Sequence, residues 1–470
     1  MPQNLRARLA RIRNAKGESL PAVFEEKKAR KKMSGHGARD GAAQKCSGLC
    51  SKPEGHGSRW QETGYKVLCR TLTIPFTFPA ILPETLSWLL PDLSRKKLGS
   101  DTGADVLPDT NTLPEPKRFL FFDLETTGLS GGAGTVAFLA AFGRFVSEPA
   151  GVPAEKVLVD YTSLEVTQFL LLDYPGESDF LEKAVSFITG SQNPPFLTTY
   201  NGKAFDIPLL KTRCLMNGLA VPGFFQADLL HPARRMWKRI IPNCSQATVE
   251  TEVLGLDRTG DMPGSMAPDI WFNFLRSGED FSGGQNTEAS RALLGICDHN
   301  VKDILGLASL FRTFTEIAAA PLDAAVRFNV DEENLAMCWR RHFFEQKPKK
   351  NAVIEQEKTA AVLLEAAAKN YPRSSLRLGF DLFRQGLYAE GRTVLKHLSA
   401  ETSWKVPCTA AVQALSLRSL AIDAERRLKS PDIALEYIKQ ALVLEGSLPA
   451  GLREDLEKRQ ERLQLQKKKL

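Results

Sequence analysis

From residue 118 onward the apolar positions follow two periods in turn. The run "RFLFFDLE" (118–125) is apolar on both alternating sets of positions and reads as a buried strand. "TVAFLAAFGRF" (135–145) and "KVLVDYTSLEVTQFLLLD" (156–173) supply at least two more strands, and the short connections predict antiparallel hairpins. Helix "SDFLEKAVSFITG" (178–190), strand "PFLTTY" (195–200) and helix "DIPLLKTRCLMNG" (206–218) then alternate as parallel crossovers do. The expected fold is α/β, a mixed sheet flanked by helices. Further helices are predicted at "PARRMWKRI", "ATVETEVLGL" and "PDIWFNFLRSG", and a strongly periodic one at "RALLGICDHNVKDILGLASLFRTF" (291–314).

Outside that region the pattern changes. Residues 1–60 read as a basic, disordered arm, and 61–117 as a lead-in strand, "YKVLCRTLTIP", followed by a proline-rich linker. The sheet domain is expected over 118–316. Residues 317–470 carry helix signals almost throughout, an all-α region. Within it "LGFDLFRQGLYAEGRTVLKHL" and "LAIDAERRLKSPDIALEYIKQAL" look like two helix-turn-helix copies. They resemble tetratricopeptide-type repeats at a wider spacing, with an ordinary helical bundle as the alternative.

Composition bears on partners and compartment. No stretch is long and apolar enough to suggest a membrane span. The net charge of +7 is uneven: residues 1–60 hold 14 Lys and Arg against 5 Asp and Glu. A basic arm points to a polyanion such as nucleic acid, or to a solvated leader. The arginine-rich start also has the composition of an organelle presequence, but not the apolar core of a secretory signal. Eight cysteines without framework spacing fit a reducing cytosol, and hence a cytoplasmic location. His36, Cys46, Cys50 and His56 form a candidate zinc cluster whose C-x3-C spacing departs from the usual C-x2-C.

The candidate chemistry lies in three separated segments. Asp123 and Glu125, two apart on a strand, project from the same face. Two carboxylates beside an apolar run repel each other and lose hydration, unless the strand has simply reached solvent. Asp206 stands where a strand passes into a helix with Pro208 in its first turn, a place that suits an N-cap as well as a ligand. Asp303 falls in line with Ile296, Leu307 and Leu310 on the long helix, with His299 one turn before it. Four carboxylates can hold two divalent metals, and oxygen ligation suits Mg²⁺ or Mn²⁺. The glycines after Glu125 lack the G-K-[ST] ending of a phosphate-binding loop and precede a strand, so they read as a turn.

"FDLETTG", "YNGKAFDIPLL" and "HNVKDILGL", in that order, resemble the three motifs of the DEDD 3′–5′ exonuclease superfamily, which has a ribonuclease H-like fold. "DLETTGLSGGAGTVAF" and "DLLHPARRMWKRI…TVETEVLGL" are similar to the YprB-like group of predicted exonucleases. The resemblance implies that Asp123, Glu125, Asp206 and Asp303 are catalytic metal ligands. His299 takes the place of the residue that orients or deprotonates the attacking water. The superfamily's histidine branch sets that residue five before the final Asp and its tyrosine branch sets a Tyr four before; here a His stands at the tyrosine spacing. Thr126, Asn201, Lys203 and Phe205, with Arg234 and Arg235, fall where substrate would be held.

The implied function is metal-dependent hydrolysis of DNA or RNA from the 3′ end. Two alternatives stay open: a structure-specific endonuclease of the same fold, and a non-catalytic scaffold that binds nucleic acid through the arm. In either case the helical C-terminal region is a candidate surface for a protein partner.

Overall fold

The computed structural model of the chain describes residues 59–94, 113–128, 134–147, 160–190, 194–221, 223–279, 281, 287–345, 352–400, 403–444 and 446–467. The arm, the candidate zinc cluster, most of the linker and the glycine loop after Gly128 lie outside them. The described residues divide into two compact units, one up to Cys338 and one from Trp339 onward.

The first unit is built on a seven-stranded mixed sheet in the order β1, β2, β5, β4, β3, β6, β7. Its strands are β1 (Gln61–Gly64), β2 (Val67–Phe78), β3 (Phe119–Thr126), β4 (Ala137–Val146), β5 (Tyr161–Leu171), β6 (Phe196–Thr199) and β7 (Phe225–Asp228). The neighbouring pairs among β1, β2, β5, β4 and β3 are antiparallel, and β3, β6 and β7 run parallel. Both sheet modes expected from the connection lengths are present. The lead-in segment adds β1 and β2 to the same sheet, with β2 paired along β5.

Helices cover both faces, which is why β3 is apolar on both sets of positions. On one face Leu120, Phe122, Phe138 and Phe142 pack in one core with Phe180 and Leu181 of α2 (Glu177–Thr189). The same core takes in Leu210 of α3 (Asp206–Met216) and Trp271 of α6 (Ala267–Ser277). On the other face Phe78, Phe119 and Phe121 pack against Phe311 of α7 (Glu288–Ala319), a helix of 32 residues capped by the Thr287 side chain. The chain also forms α1 (Leu86–Leu89) in the lead-in, and α4 (Leu230–Trp237) and α5 (Gln246–Val249) ahead of α6. A π-helical turn, Glu250–Leu254, directly follows α5.

Gly143 of β4 sets how close α7 comes. It pairs with Phe121, and a Cβ there would lie 2.5 Å from Cγ2 of Ile304. A side chain at this position would push the helix away from the sheet together with Asp303, the residue before Ile304.

Past α7 the chain continues through α8 (Pro321–Arg327) and α9 (Glu332–Glu345) to α10 (Ala352–Ala368). Then come α11 (Pro372–Gln385), α12 (Tyr388–Ala400), α13 (Ala410–Arg426), α14 (Pro431–Leu442) and α15 (Ala450–Lys467). The second unit is all-helical, with buried leucines and alanines such as Leu395, Leu398 and Leu420 between successive helices. No described helix is long and apolar enough to cross a membrane.

Candidate active site

β3 delivers the first two acids. Its odd-numbered side chains share the face that α7 covers, so after Phe119 and Phe121 the alternation brings Asp123 and Glu125 to the strand end beneath the helix. α7 supplies Asp303 from a turn flanked by the buried Ile296, Asn300, Ile304 and Leu307. The stripe seen in the sequence is thus a core stripe interrupted by polar groups at one place. Ligand atoms of Glu125, His299 and Asp303 lie within 4.8 Å of one another.

Asp123 and Asp206 belong to the same patch of charge. Burial raises the Asp123 carboxyl well above the usual range, and the charges of Asp303, Asp206 and Glu125 raise it further. Glu125 is raised by burial and by Asp303 and Asp206. Burial pushes Asp206 up to about 7, against the pull of two backbone amides, its own and that of Leu124. Asp206 is the first residue of α3, and the cap position belongs to Phe205 without a side-chain hydrogen bond. The Leu124 amide that pulls its pKa down belongs to β3, so the carboxylate lies close to that strand.

Neighbouring side chains hold these acids in place. Asn300, fully buried, donates from Nδ2 to Asp123 Oδ2 at 2.7 Å. Gln168 of β5, also fully buried, donates from Nε2 to Asn300 Oδ1 at 2.9 Å and to the Cys297 carbonyl at 2.8 Å. Arg70 of β2 donates from Nε to Gln168 Oε1 at 2.7 Å, and lies 4.7 Å from the ring centre of Trp60.

A second network surrounds Asp303 and His299. Arg258 donates to Asp303 Oδ1 at 2.6 Å and to Asp261 Oδ2 at 2.8 Å, and pairs with the buried Glu250. His299 Nδ1 lies 2.9 Å from Asp261 Oδ2, and its Nε2 lies 3.3 Å from Asp303 Oδ2. At the shorter distance Nδ1–H donates to Asp261 Oδ2, and Nε2 is turned towards Asp303. Burial disfavours charge on Asp261, but hydrogen bonds from Lys302, Arg258 and His299 outweigh it and hold the carboxyl well below the usual range. Gln246, Arg258, Asp261, Gly264, His299 and Asp303 line an open cavity of about 400 Å³ beside the acids.

Glu250 reaches this network because Gly306 leaves room for it: a Cβ on Gly306 would fall 1.7 Å from Glu250 Oε1. Burial pushes the Glu250 carboxyl up to about 7, with Arg258 pulling the other way.

Of the other sequence candidates, Thr126 donates from its hydroxyl to the Gly128 carbonyl at 2.9 Å. Asn201, at φ 66°, and Lys203 donate their backbone amides to the buried Asp228 at 2.9 and 3.2 Å. Lys203 Nζ pairs with Asp92 at 2.5 Å. Phe205 is 50% exposed beside Asp206. On α4, Arg234 is exposed and Arg235 donates to the Leu89 carbonyl at 3.3 Å. Arg239 beyond α4 is paired with Asp331 and Glu333.

Sequence reasoning missed Arg70, Gln168, Asn300, Arg258 and Asp261. A buried Gln on a strand and an Asn next to a His were the available signals.

The chemistry of the Glu125, His299 and Asp303 cluster, with Asp123 and Asp206 close enough to add their charge, suits a divalent cation. The donors are carboxylate oxygens with one imidazole at hand, and their mutual repulsion and lost hydration are what a dication would relieve. Residues 120–315 match the RNase H superfamily. Over 328 residues the chain is 30% identical to the uncharacterized protein YprB of Bacillus subtilis (strain 168), an alignment covering 69% of each chain.

Proposed function

Given that the chain belongs to the RNase H superfamily and to the family of YprB, we propose that it is a metal-dependent 3′–5′ exonuclease acting on DNA or RNA in the cytoplasm. The observation that carries this reading is the closeness of Asp123, Glu125, Asp206 and Asp303, from three separate segments: the charges of Asp206 and Asp303 raise the carboxyls of Asp123 and Glu125. Free thiols at all six described cysteines support a reducing compartment.

The four carboxylates would hold two Mg²⁺ or Mn²⁺ ions. When bound, the ions supply Lewis acidity, polarising the scissile phosphate and making a water acidic enough to lose its proton near neutral pH. The protein's own groups do the rest. Asn300 fixes the orientation of Asp123, and the Leu124 amide favours the charged form of Asp206. Arg258 holds one oxygen of Asp303 and leaves the other facing the cluster. His299, oriented through Nδ1 by Asp261, presents Nε2 as the acceptor for the water proton. Phe205 offers an exposed ring to the terminal nucleotide, and Arg234 an exposed charge to a phosphate. Thr126, Asn201, Lys203 and Arg235 shape the surrounding backbone through the bonds described above.

The test is a matched panel of end-labelled DNA and RNA, single- and double-stranded, with free and blocked 3′ ends. An exonuclease of this polarity spares the blocked substrates. Cutting of blocked substrates would replace the reading with an endonuclease, and no metal-dependent cutting at all would leave a non-catalytic binding protein.

A further inference from the structure

The two units carry opposite charge. Residues 61–338 hold 23 Lys and Arg against 34 Asp and Glu, and residues 339–470 hold 25 against 16. Net charges of −11 and +9 follow. Setting the four site carboxylates aside, the sheet unit still stands at −7. The sheet unit as a whole therefore offers a polyanion no net attraction, and the excess of positive charge lies elsewhere in the chain.

Within the helical unit the positive charge is concentrated. Arg373, Arg377 and Arg384 lie four and seven residues apart on α11, a spacing that puts them on one stripe of the helix, and all three are exposed. Asp381, beside them and 9% exposed at the side chain, pairs with Arg340, Arg377 and Arg384. The exposed Arg377 and Arg384 thus share a single carboxylate between them. Burial lowers the pKa of Arg340, and the charges of Arg377 and Arg384 lower it further against the pull of Asp381.

The pattern repeats one step along the unit. Asp423 on α13, 1% exposed at the side chain, pairs with Arg392 at 2.8 Å and Arg427 at 3.2 Å. Arg427 also lies 3.9 Å from the ring centre of Tyr388 and 5.7 Å from that of Phe383, the neighbour of Arg384. Two buried aspartates thus anchor the exposed Arg377, Arg384 and Arg427, and Arg427 lies over the rings of Tyr388 and Phe383 beside the first cluster. The aspartates fix where the guanidinium groups stand, and the surplus charge is left for an external anion. Planar forks of this kind match phosphate oxygens in pairs.

We infer that this face of α11, α12 and α13 is a docking surface for the phosphate backbone of a nucleic acid, an inference that rests on reading the sheet unit as a nuclease. It assigns the binding of the polyanion to the helical unit and leaves bond cleavage to the acidic one.

Binding of a fluorescently labelled oligonucleotide to the full-length protein, followed by anisotropy across a salt series in the presence of a chelator, tests it without turnover. The Arg377→Gln, Arg384→Gln double variant is expected to bind about tenfold more weakly. Its log–log salt slope should be shallower by about 1.4 for a single-stranded probe, about 0.7 for each phosphate that is no longer neutralised. The matching Arg→Lys pair keeps the charge and most of the affinity, and circular dichroism confirms that each variant is folded. Unchanged affinity and slope in the folded Gln variant would overturn the inference. So would a wild-type protein that ignores oligonucleotides and binds an acidic peptide through the same arginines. Metal-dependent cleavage by a protein whose Gln variant binds like wild type sinks the docking surface alone. Arginine-dependent binding without any cleavage sinks the nuclease reading alone.

Discussion

Asn300 Nδ2 donates to Asp123 Oδ2 at 2.7 Å, and no part of Asn300 reaches solvent. Behind it Gln168 and Arg70 continue the hydrogen bonding across β5 and β2, so the orientation of one site carboxylate is tied to the middle of the sheet. Asn300→Ala frees Asp123 and removes one of the two acceptors of the Gln168 amide. Calorimetric titration with Mn²⁺ should show affinity falling by about ten- to a hundredfold, the usual cost of removing a group that orients a ligand. Wild-type affinity in the folded variant would mean that Asp123 needs no such support.

On the proposed reading, Asp261 acts on the chemistry by orienting His299. Asp261→Asn removes the charge that holds the Nδ1 proton while keeping the shape. The turnover number should fall by at least about tenfold, within the range that general-base assistance supplies, with KM little changed. A rise in KM at constant turnover would place Asp261 in substrate binding instead.

Gly143 carries a structural prediction. Gly143→Ala puts a methyl group 2.5 Å from Ile304 Cγ2, so Ile304 or its helix has to shift. Urea unfolding should report a loss of about 1–3 kcal/mol. Nuclease activity should fall more than stability alone explains, since α7 carries Asp303 and His299 as well as Ile304.

Glu250 makes stability depend on pH. Its carboxyl moves from 4.5 in the unfolded chain to about 7 in the fold, because burial disfavours the charge. The folded state then binds the proton more tightly, so stability is fully present below pH 4.5 and is lost as pH rises through about 7. In chelator, Glu250→Gln should remove this loss, amounting to about 3 kcal/mol across that window. Parallel stability curves for the two proteins would contradict the assignment.

The site was legible in the sequence to the extent that it is made of alternation and helical phase. The i, i+2 spacing of Asp123 and Glu125 and the place of Asp303 between Ile296 and Leu307 are local patterns, and the sheet's change from antiparallel to parallel follows from connection length. Asp261 and Arg258 were hidden in "LDRTGDMPG", which reads as a polar turn; only the fold brings it over His299, 38 residues away. Gln168 was hidden for another reason. A polar residue inside a strand looks like an exposed position, and here it is a buried link between Arg70 and Asn300. The site's orienting groups come from β2, β5 and the loop before α6, and no spacing rule joins those segments.

The most direct measurement is a time course with a 5′-labelled oligonucleotide in Mn²⁺, comparing wild type with Asp123→Asn. The account predicts a ladder that shortens one nucleotide at a time from the 3′ end, absent when metal is chelated and absent in the folded variant. Equal degradation by Asp123→Asn, or none by wild type with either metal on DNA or RNA, would contradict it.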